Sequence, residues 1–245
     1  MSLNRRQLIV NADDFGISQR TNAGIVQCRR QGILTSASLL VRADAAIEAV
    51  KQWRADAGKC PEFSLGLHLD LGEWELKNGN WEPIYLRADL NDMQSVKREI
   101  DHQLNLFQQL SGANPTHVDS HQHVHQKPGI QQLVRELANQ LGVPLRDADN
   151  RVRFWGGFFG RNEHFQPMTE NIRPDNLKSI LKTLLPGITE LSCHPGLDSE
   201  LQSDYCTERL IEVQTLCDPE IQRLILQSGI ELVSYCDLRT ATVEQ

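Results

Sequence analysis

The chain lacks most of the marks that place a protein at a glance. Its six cysteines (Cys28, Cys60, Cys193, Cys206, Cys217, Cys236) form no C-x-x-C pair, so neither a zinc ribbon nor a thioredoxin-type motif is present. Across 245 residues that scatter is no disulfide framework, and it reads as reduced, mostly buried thiols. Positive charge is not in excess. Lys and Arg number 25 against 32 Asp and Glu, for a net charge of -7. This argues against a protein held by charge on nucleic acid or on an anionic membrane. No run approaches the roughly 18 apolar residues of a membrane span. The first apolar run is interrupted by Asn11, Asp13 and Asp14 before a signal-peptide core could form. The cytoplasm is the expected location. No Gly/Ser linker or low-complexity tract divides the chain, so one domain over residues 1–245 is expected.

What is present alternates between short apolar runs and longer amphipathic ones. Strands are expected at QLIVNADD, Thr35–Val41, Phe63–Leu71, THVDSHQ, VPLRDA, ITELSCHPG and Ile230–Cys236. Helices are expected at Gln19–Arg30, Ala43–Trp53, Asp92–Leu110, Pro128–Leu141, Pro174–Leu185 and, as one or two, Tyr205–Gln227. The segments Gly72–Leu90 and Arg151–Pro167 read as loops. Seven strands alternating with helices imply a parallel sheet, either doubly wound or closed into a (β/α) barrel. Polar clusters end the first, third, fourth and sixth strands. A barrel gathers all such ends at one mouth, whereas an open sheet gathers only those at its switch point. The barrel is therefore preferred.

Four clusters carry chemistry. NADDFG ends a strand with adjacent Asp13 and Asp14. Neighbouring carboxylates repel, and a metal that neutralises one leaves the other free as a base. The plain alternative is a strand-end turn that caps a helix. His68 in SLGLHLDLG is either a ligand or a hydrogen-bonded core residue, with Asp70 placed to orient it. HVDSHQHVH puts His117, Asp119, His121, His123 and His125 at alternate positions. At strand rise His117 and His125 stand roughly 26 Å apart, so they cannot share an ion. Asp119, His121 and His123, nearer the strand end, are the better candidates. In LSCHPG, Pro195 biases His194 toward extended backbone, which makes it a candidate acid or base. One Asp and two His are a common ligand set for Zn²⁺ or Fe²⁺ with open positions. The ensemble points to metal-assisted hydrolysis of an amide or ester.

NADDFG, GLHLDLG, THVDSHQHVH and ELSCHPG, in that order, resemble the YdjC-like carbohydrate deacetylases, a family that includes chitooligosaccharide deacetylases. The likeness runs from Leu8 to about Tyr235. It implies an α/β fold, a single-domain (β/α) barrel related to the polysaccharide deacetylases, irregular or seven-stranded and TIM-like. It implies a divalent ion, magnesium by resemblance, although a His-rich site also suits zinc. It implies Asp14, His68 and His121 as metal ligands, Asp13 as catalytic base and His194 as general acid. It also implies a homodimer and a small N-acetylated carbohydrate as substrate. Asp119 and His123 then become supporting residues. His117 lies deeper in the barrel, and His125 faces either substrate or solvent. Two regions depart from the family pattern: FWGGFFGRNEHF stands where some relatives carry a Tyr-Gly-Gln-type loop, and the Gly72–Leu90 segment with Trp74 and Trp81 is individual. Trp81, Trp155 and Phe159 are substrate-contact candidates, since aromatic faces pack on sugar rings, with loop packing as the alternative. The rival functions are a glycoside hydrolase, a carbohydrate-binding protein with an inactive metal site, and an isomerase on a similar barrel.

Overall fold

A computed structural model of the chain describes residues 5–56, 62–77, 79–197 and 205–240. The chain runs β1 (Arg6–Phe15), α1 (Gln19–Gln31), β2 (Ser36–Leu39), α2 (Ala46–Ala55) and β3 (Ser64–Leu69). A hairpin follows, of β4 (Gly72–Lys77) and β5 (Asn80–Leu86), then α3 (Met93–Ser111), β6 (Val118–Ser120) and α4 (Ile130–Leu141). The second half holds β7 (Val152–Trp155), α5 (Pro174–Thr183), β8 (Gly187–Cys193), α6 (Cys206–Leu216), α7 (Pro219–Gln227), β9 (Ile230–Leu232) and α8 (Tyr235–Thr240).

Seven strands make one parallel sheet in the order β6-β3-β2-β1-β8-β7, with β9 also pairing β1. β1 is central and buried from Leu8 onward. Its unbroken LIV run fits a parallel strand covered on both faces. β8 flanks it on one side. On the other, β9 pairs the first residues, Arg6–Leu8, and β2 pairs the region from Asn11 to Phe15. The sheet curls into an irregular (β/α) barrel. Among the described residues no ladder joins the Leu145 segment to β7, so hydrogen bonds leave the barrel open there.

The helices begin and end where local chemistry dictates. Ser18 caps α1 by accepting from the Thr21 amide at 2.9 Å. Asp92 caps α3 by accepting from the Gln94 amide at 2.9 Å, and Gly112 ends that helix in the left-handed region at φ 72. Pro174 and Pro219 occupy the first turns of α5 and α7, where the missing N–H costs nothing.

Three expectations are corrected. VPLRDA contributes one isolated bridge, Val118 to Leu145, rather than a strand. The seventh strand of the sheet is instead β7, inside the segment expected to be a loop. Left-handed Asp147 (φ 55) turns the chain, and the Asp149 side chain accepts from the Arg151 amide at 2.8 Å just before β7. The expected loop at Gly72–Leu90 holds the β4–β5 hairpin, with Gly79 at φ 81 in its turn. The last strand stops at Leu232. There Ser234 donates to the Asp237 carboxylate from its amide (2.7 Å) and hydroxyl (3.1 Å), which starts α8. Among the thiols, Cys28, Cys193, Cys217 and Cys236 are in no disulfide among the described residues, while Cys60 lies outside them.

Gly66 on β3 has no room for a side chain, because a Cβ there would lie 2.4 Å from the ring of His117. That ring stacks on Tyr235 at 3.8 Å between centroids. Gly66→Ala is expected to destabilise by about 1–3 kcal/mol through overpacking. Truncating His117 in the same chain should return part of that loss. Urea unfolding of the two single variants and the double variant checks this. Purely additive effects would show that the two positions do not compete for space.

Candidate metal centre and active site

β1 delivers two carboxylates to the C-terminal rim of the sheet, and the backbone then turns sharply. Asp14 has φ 62, a left-handed conformation that costs a non-glycine residue and concentrates at functional sites. The turn is held by the Gly16 amide donating to Asn22 Oδ1 at 2.7 Å and the Ile17 amide donating to the Asp14 carbonyl at 3.1 Å. Both carboxylates are buried, yet their partners differ.

Asp14 faces two imidazoles. Its Oδ1 lies 3.2 Å from His121 Nδ1 and 3.5 Å from His68 Nε2, and its Oδ2 accepts from Arg209 at 2.5 Å. The three ligating atoms of Asp14, His68 and His121 all lie within 4.8 Å of one another. His68 comes from the C-terminal half of β3, and His121 opens the turn that follows β6. The next two residues, Gln122 and His123, are left-handed (φ 48 and 52), so the strand expected over THVDSHQ ends at Ser120. His68 Nδ1 meets Asp119 Oδ1 at 2.8 Å. This carboxylate contact directs the Nδ1 proton to Asp119 and leaves the Nε2 lone pair for the cluster, as in a carboxylate–histidine–metal unit. Burial opposes a charge on His68, but Asp119 and Asp14 together raise the imidazole to about 10. The cluster thus favours a positive charge at His68, which is what a ligated cation supplies. The donor set fits a divalent ion.

Asp13 faces the barrel interior. Arg146 grips it with both terminal nitrogens, at 2.6 and 2.7 Å, and Asn11 donates to it at 2.9 Å. Burial would raise the Asp13 carboxyl, but the guanidinium holds it below the ordinary carboxylate range. Arg146 also donates to Asp119 at 2.8 Å and to Glu190 at 2.7 Å, and all four side chains are buried. Burial raises Glu190 despite that contact.

His194, just past β8, places Nε2 at 3.7 Å from Asp13 Oδ2. Burial pushes its imidazole down to about 4, so the ring is neutral at pH 7. α6 positions it. The Glu212 carboxylate accepts from the His194 amide, and Arg209 donates to the His194 carbonyl at 3.2 Å. Tyr205 donates to Glu212 at 2.7 Å and accepts from the Gly160 amide at 2.7 Å.

The structure therefore brings together Asp13, Asp14, His68, His121 and His194, with Asp119 supporting His68. Other candidates sit elsewhere. Asp70 does not reach His68; it accepts from Tyr85 at 3.0 Å and Arg87 at 2.5 Å and ties down the hairpin. His125 meets neither substrate space nor solvent, being buried with Nδ1 2.6 Å from Ser120 Oγ. His123 packs edge-on against Phe154 at 5.6 Å. Phe159 touches His194 edge-on at 5.5 Å, and Trp81 meets Phe165 at 5.7 Å. Trp155 is 37% exposed and makes no ring contact among the described residues. Arg146, Glu190, Arg209 and Glu212 were passed over in the sequence. The available signal was a charged residue inside an apolar run: Arg in VPLRD, Glu in ITELSC.

Residues 7–227 match the YdjC-like proteins, and the chain belongs to that family. It is 31% identical over 261 residues to a chitooligosaccharide deacetylase of Serratia marcescens, across 94% of this chain and 98% of the relative. A protein of the same description from Yersinia enterocolitica is 29% identical, again across 94% of this chain and 98% of its own. Among solved structures, a candidate cellobiose-phosphate cleavage protein of Enterococcus faecalis V583 is similar with TM-score 0.74 and 26% identity, across 96% of this chain and 99% of that one. A polysaccharide deacetylase of Bacillus cereus shares the fold at TM-score 0.55 and 12% identity, across 94% of this chain and 92% of its own.

Removing Arg146 leaves three buried carboxylates without their common partner. Arg146→Ala should cost about 3–5 kcal/mol at neutral pH. In the native protein Asp13 and Asp119 are depressed, so their stabilisation is present above the unfolded carboxylate value and lost as pH falls through the folded one. Without Arg146, burial raises the same groups, and the variant's deficit should shrink as pH falls toward 4. Thermal unfolding of both proteins across pH tests this. A deficit that stays constant with pH would contradict the electrostatic account.

Proposed function

We propose that the protein is a metal-dependent hydrolase that removes the N-acetyl group from an N-acetylated sugar, a short chitooligosaccharide being the substrate its relatives' names favour. The supporting observation is the division of labour between adjacent carboxylates: Asp14 faces His68 and His121, while Asp13 is clamped by Arg146 and stands 3.7 Å from His194. Asp14, His68 and His121 would hold the ion, with positions left for water and substrate. Two imidazoles and one carboxylate suit zinc or a similar transition ion better than magnesium, which prefers oxygen ligands. Such an ion supplies polarisation of a carbonyl and acidification of a bound water.

The chain's own residues then move one proton. Asp13, kept ionised by Arg146, accepts a proton from the attacking water. His194, neutral in the free protein, relays that proton to the nitrogen of the departing amine. The C–N bond breaks, a C–O bond forms, and the products are acetate and the free amino sugar. The reading carries with it the homodimer implied by the family resemblance and the cytoplasmic setting expected from the sequence. No helix among the described residues is long and apolar enough to cross a membrane.

Acetate release from N-acetylated sugars tests the reading. Asp13→Asn should lower turnover by about 10²–10⁴-fold while bound metal is retained. Full activity in that variant would remove Asp13 as the base. His68→Ala and His121→Ala should lose metal, read by elemental analysis, and a chelator should abolish activity that zinc restores. Sugar-chain cleavage without acetate would instead favour a glycoside hydrolase. Binding with neither product, metal supplied, would favour a carbohydrate-binding protein.

A further inference from the structure

The reaction proposed above leaves a run of aromatic rings unused. Phe159 stacks on Tyr205 (4.9 Å, 8° between planes) and meets His194 edge-on at 5.5 Å. Phe165 follows at 6.3 Å from Phe159, and Trp81 of the hairpin closes on Phe165 edge-to-face at 5.7 Å. The rings form one unbroken series from His194 out to Trp81, which is 50% exposed.

Core packing does not account for this arrangement. Phe165 has φ 60, a costly conformation for a bulky side chain. It is held there by Arg161, which donates to the Phe165 carbonyl at 2.9 Å, and by the Phe165 amide donating to the Asn162 carbonyl at 2.9 Å. The hairpin is fixed independently. Gln122 accepts from the Trp74 amide at 3.0 Å and donates to its carbonyl at 2.8 Å, which locks β4 to the turn that carries His121. Lys127 sits over the Trp74 ring at 3.9 Å. A strained Phe held by polar contacts and a half-solvated Trp on a tethered hairpin thus meet one ring beyond Phe159, which borders the candidate catalytic histidine. Such a preformed apolar surface suits a ligand with one apolar face and polar edges, and a pyranose ring has that form.

We propose that Trp81 and Phe165 form a subsite for the sugar ring adjacent to the one that loses its acetyl group, so that the protein prefers oligosaccharides to monosaccharides. The two rings come from segments far apart in the sequence, so the subsite exists only where hairpin and loop meet. The proposal rests on the deacetylase reading.

The test compares N-acetylglucosamine with its β-1,4-linked trimer on wild type, Trp81→Ala, Trp81→Phe and Phe165→Ala. The ratio of kcat/KM for trimer over monomer should fall about ten-fold in Trp81→Ala and in Phe165→Ala, through KM for the trimer, and recover largely in Trp81→Phe. An unchanged ratio in both alanine variants overturns the subsite. If wild type releases no acetate from either sugar, the deacetylase reading fails, and binding alone decides the subsite. Quenching of tryptophan fluorescence by the trimer that disappears in Trp81→Ala then supports it, and equal quenching overturns it.

Discussion

One guanidinium in the barrel interior holds the site together. Arg146 spans Asp13 at the end of β1, Asp119 on β6 and Glu190 on β8, and all four side chains are buried. Burying three carboxylates is expensive, and a lone cation among them is worth its own desolvation only because each of its faces is occupied. The planar fork of arginine can serve several oxygens at once, which the point charge of lysine cannot. The orientation of Asp13, the proposed base, and that of Asp119, which meets His68, follow from the same side chain.

The influence of Asp119 extends downward as well. Ser38 Oγ donates to Asp119 Oδ2 at 2.6 Å and accepts from Asn11 at 2.9 Å. With its one hydrogen committed, Ser38 can meet His117 Nε2, 3.0 Å away, only as acceptor, so Nε2 carries the His117 proton. His117 Nδ1 then accepts from Thr116 at 2.9 Å. Burial keeps that imidazole neutral by lowering it to about 3. Donor counting thus fixes a one-way chain from the floor of the barrel to Asp119. Its polarity agrees with the tautomer that leaves His68 Nε2 facing Asp14. The second of the alternating histidines in HVDSHQHVH is a cluster residue, and the first sets up its neighbour's support.

The legible part of the molecule was the part written in local signals. Apolar runs located six of the seven sheet strands, and the polar endings of four of them located the cluster, because parallel strands bring their C-terminal ends to one rim. Arg146 escaped notice because its role depends on partners at positions 13, 119 and 190, and no local period links these. The VPLRDA run reads as a strand by composition, but a left-handed Asp147 and the Asp149 turn displaced the strand to β7. The hairpin was hidden by its own Gly, Asn and Pro residues, which mimic a loop. His125 reads as facing substrate or solvent because it lies past the expected strand end. Two left-handed residues fold it back under Ser120.

α6 shows why the fold could be read more readily than the mouth. A helix against a sheet ordinarily buries an apolar stripe. This one buries Glu208, Arg209, Glu212 and Thr215. Each reaches a different segment: Glu208 pairs with Arg161 at 2.8 Å, Arg209 with Asp14, Glu212 with the His194 amide, and Thr215 donates to the Ile172 carbonyl at 2.6 Å. Burial raises Glu212 to about 8, against the lowering pull of its donors, Tyr205 and the His194 amide. The helix gives up apolar burial on this face and gains fixed contacts to the end of β1 and to the segments around Arg161, Ile172 and His194. Loops held in this way can keep a strained residue such as Phe165. On the proposed function, the reaction machinery sits on the strand ends, and the proposed sugar subsite on the hairpin and the segment before α5.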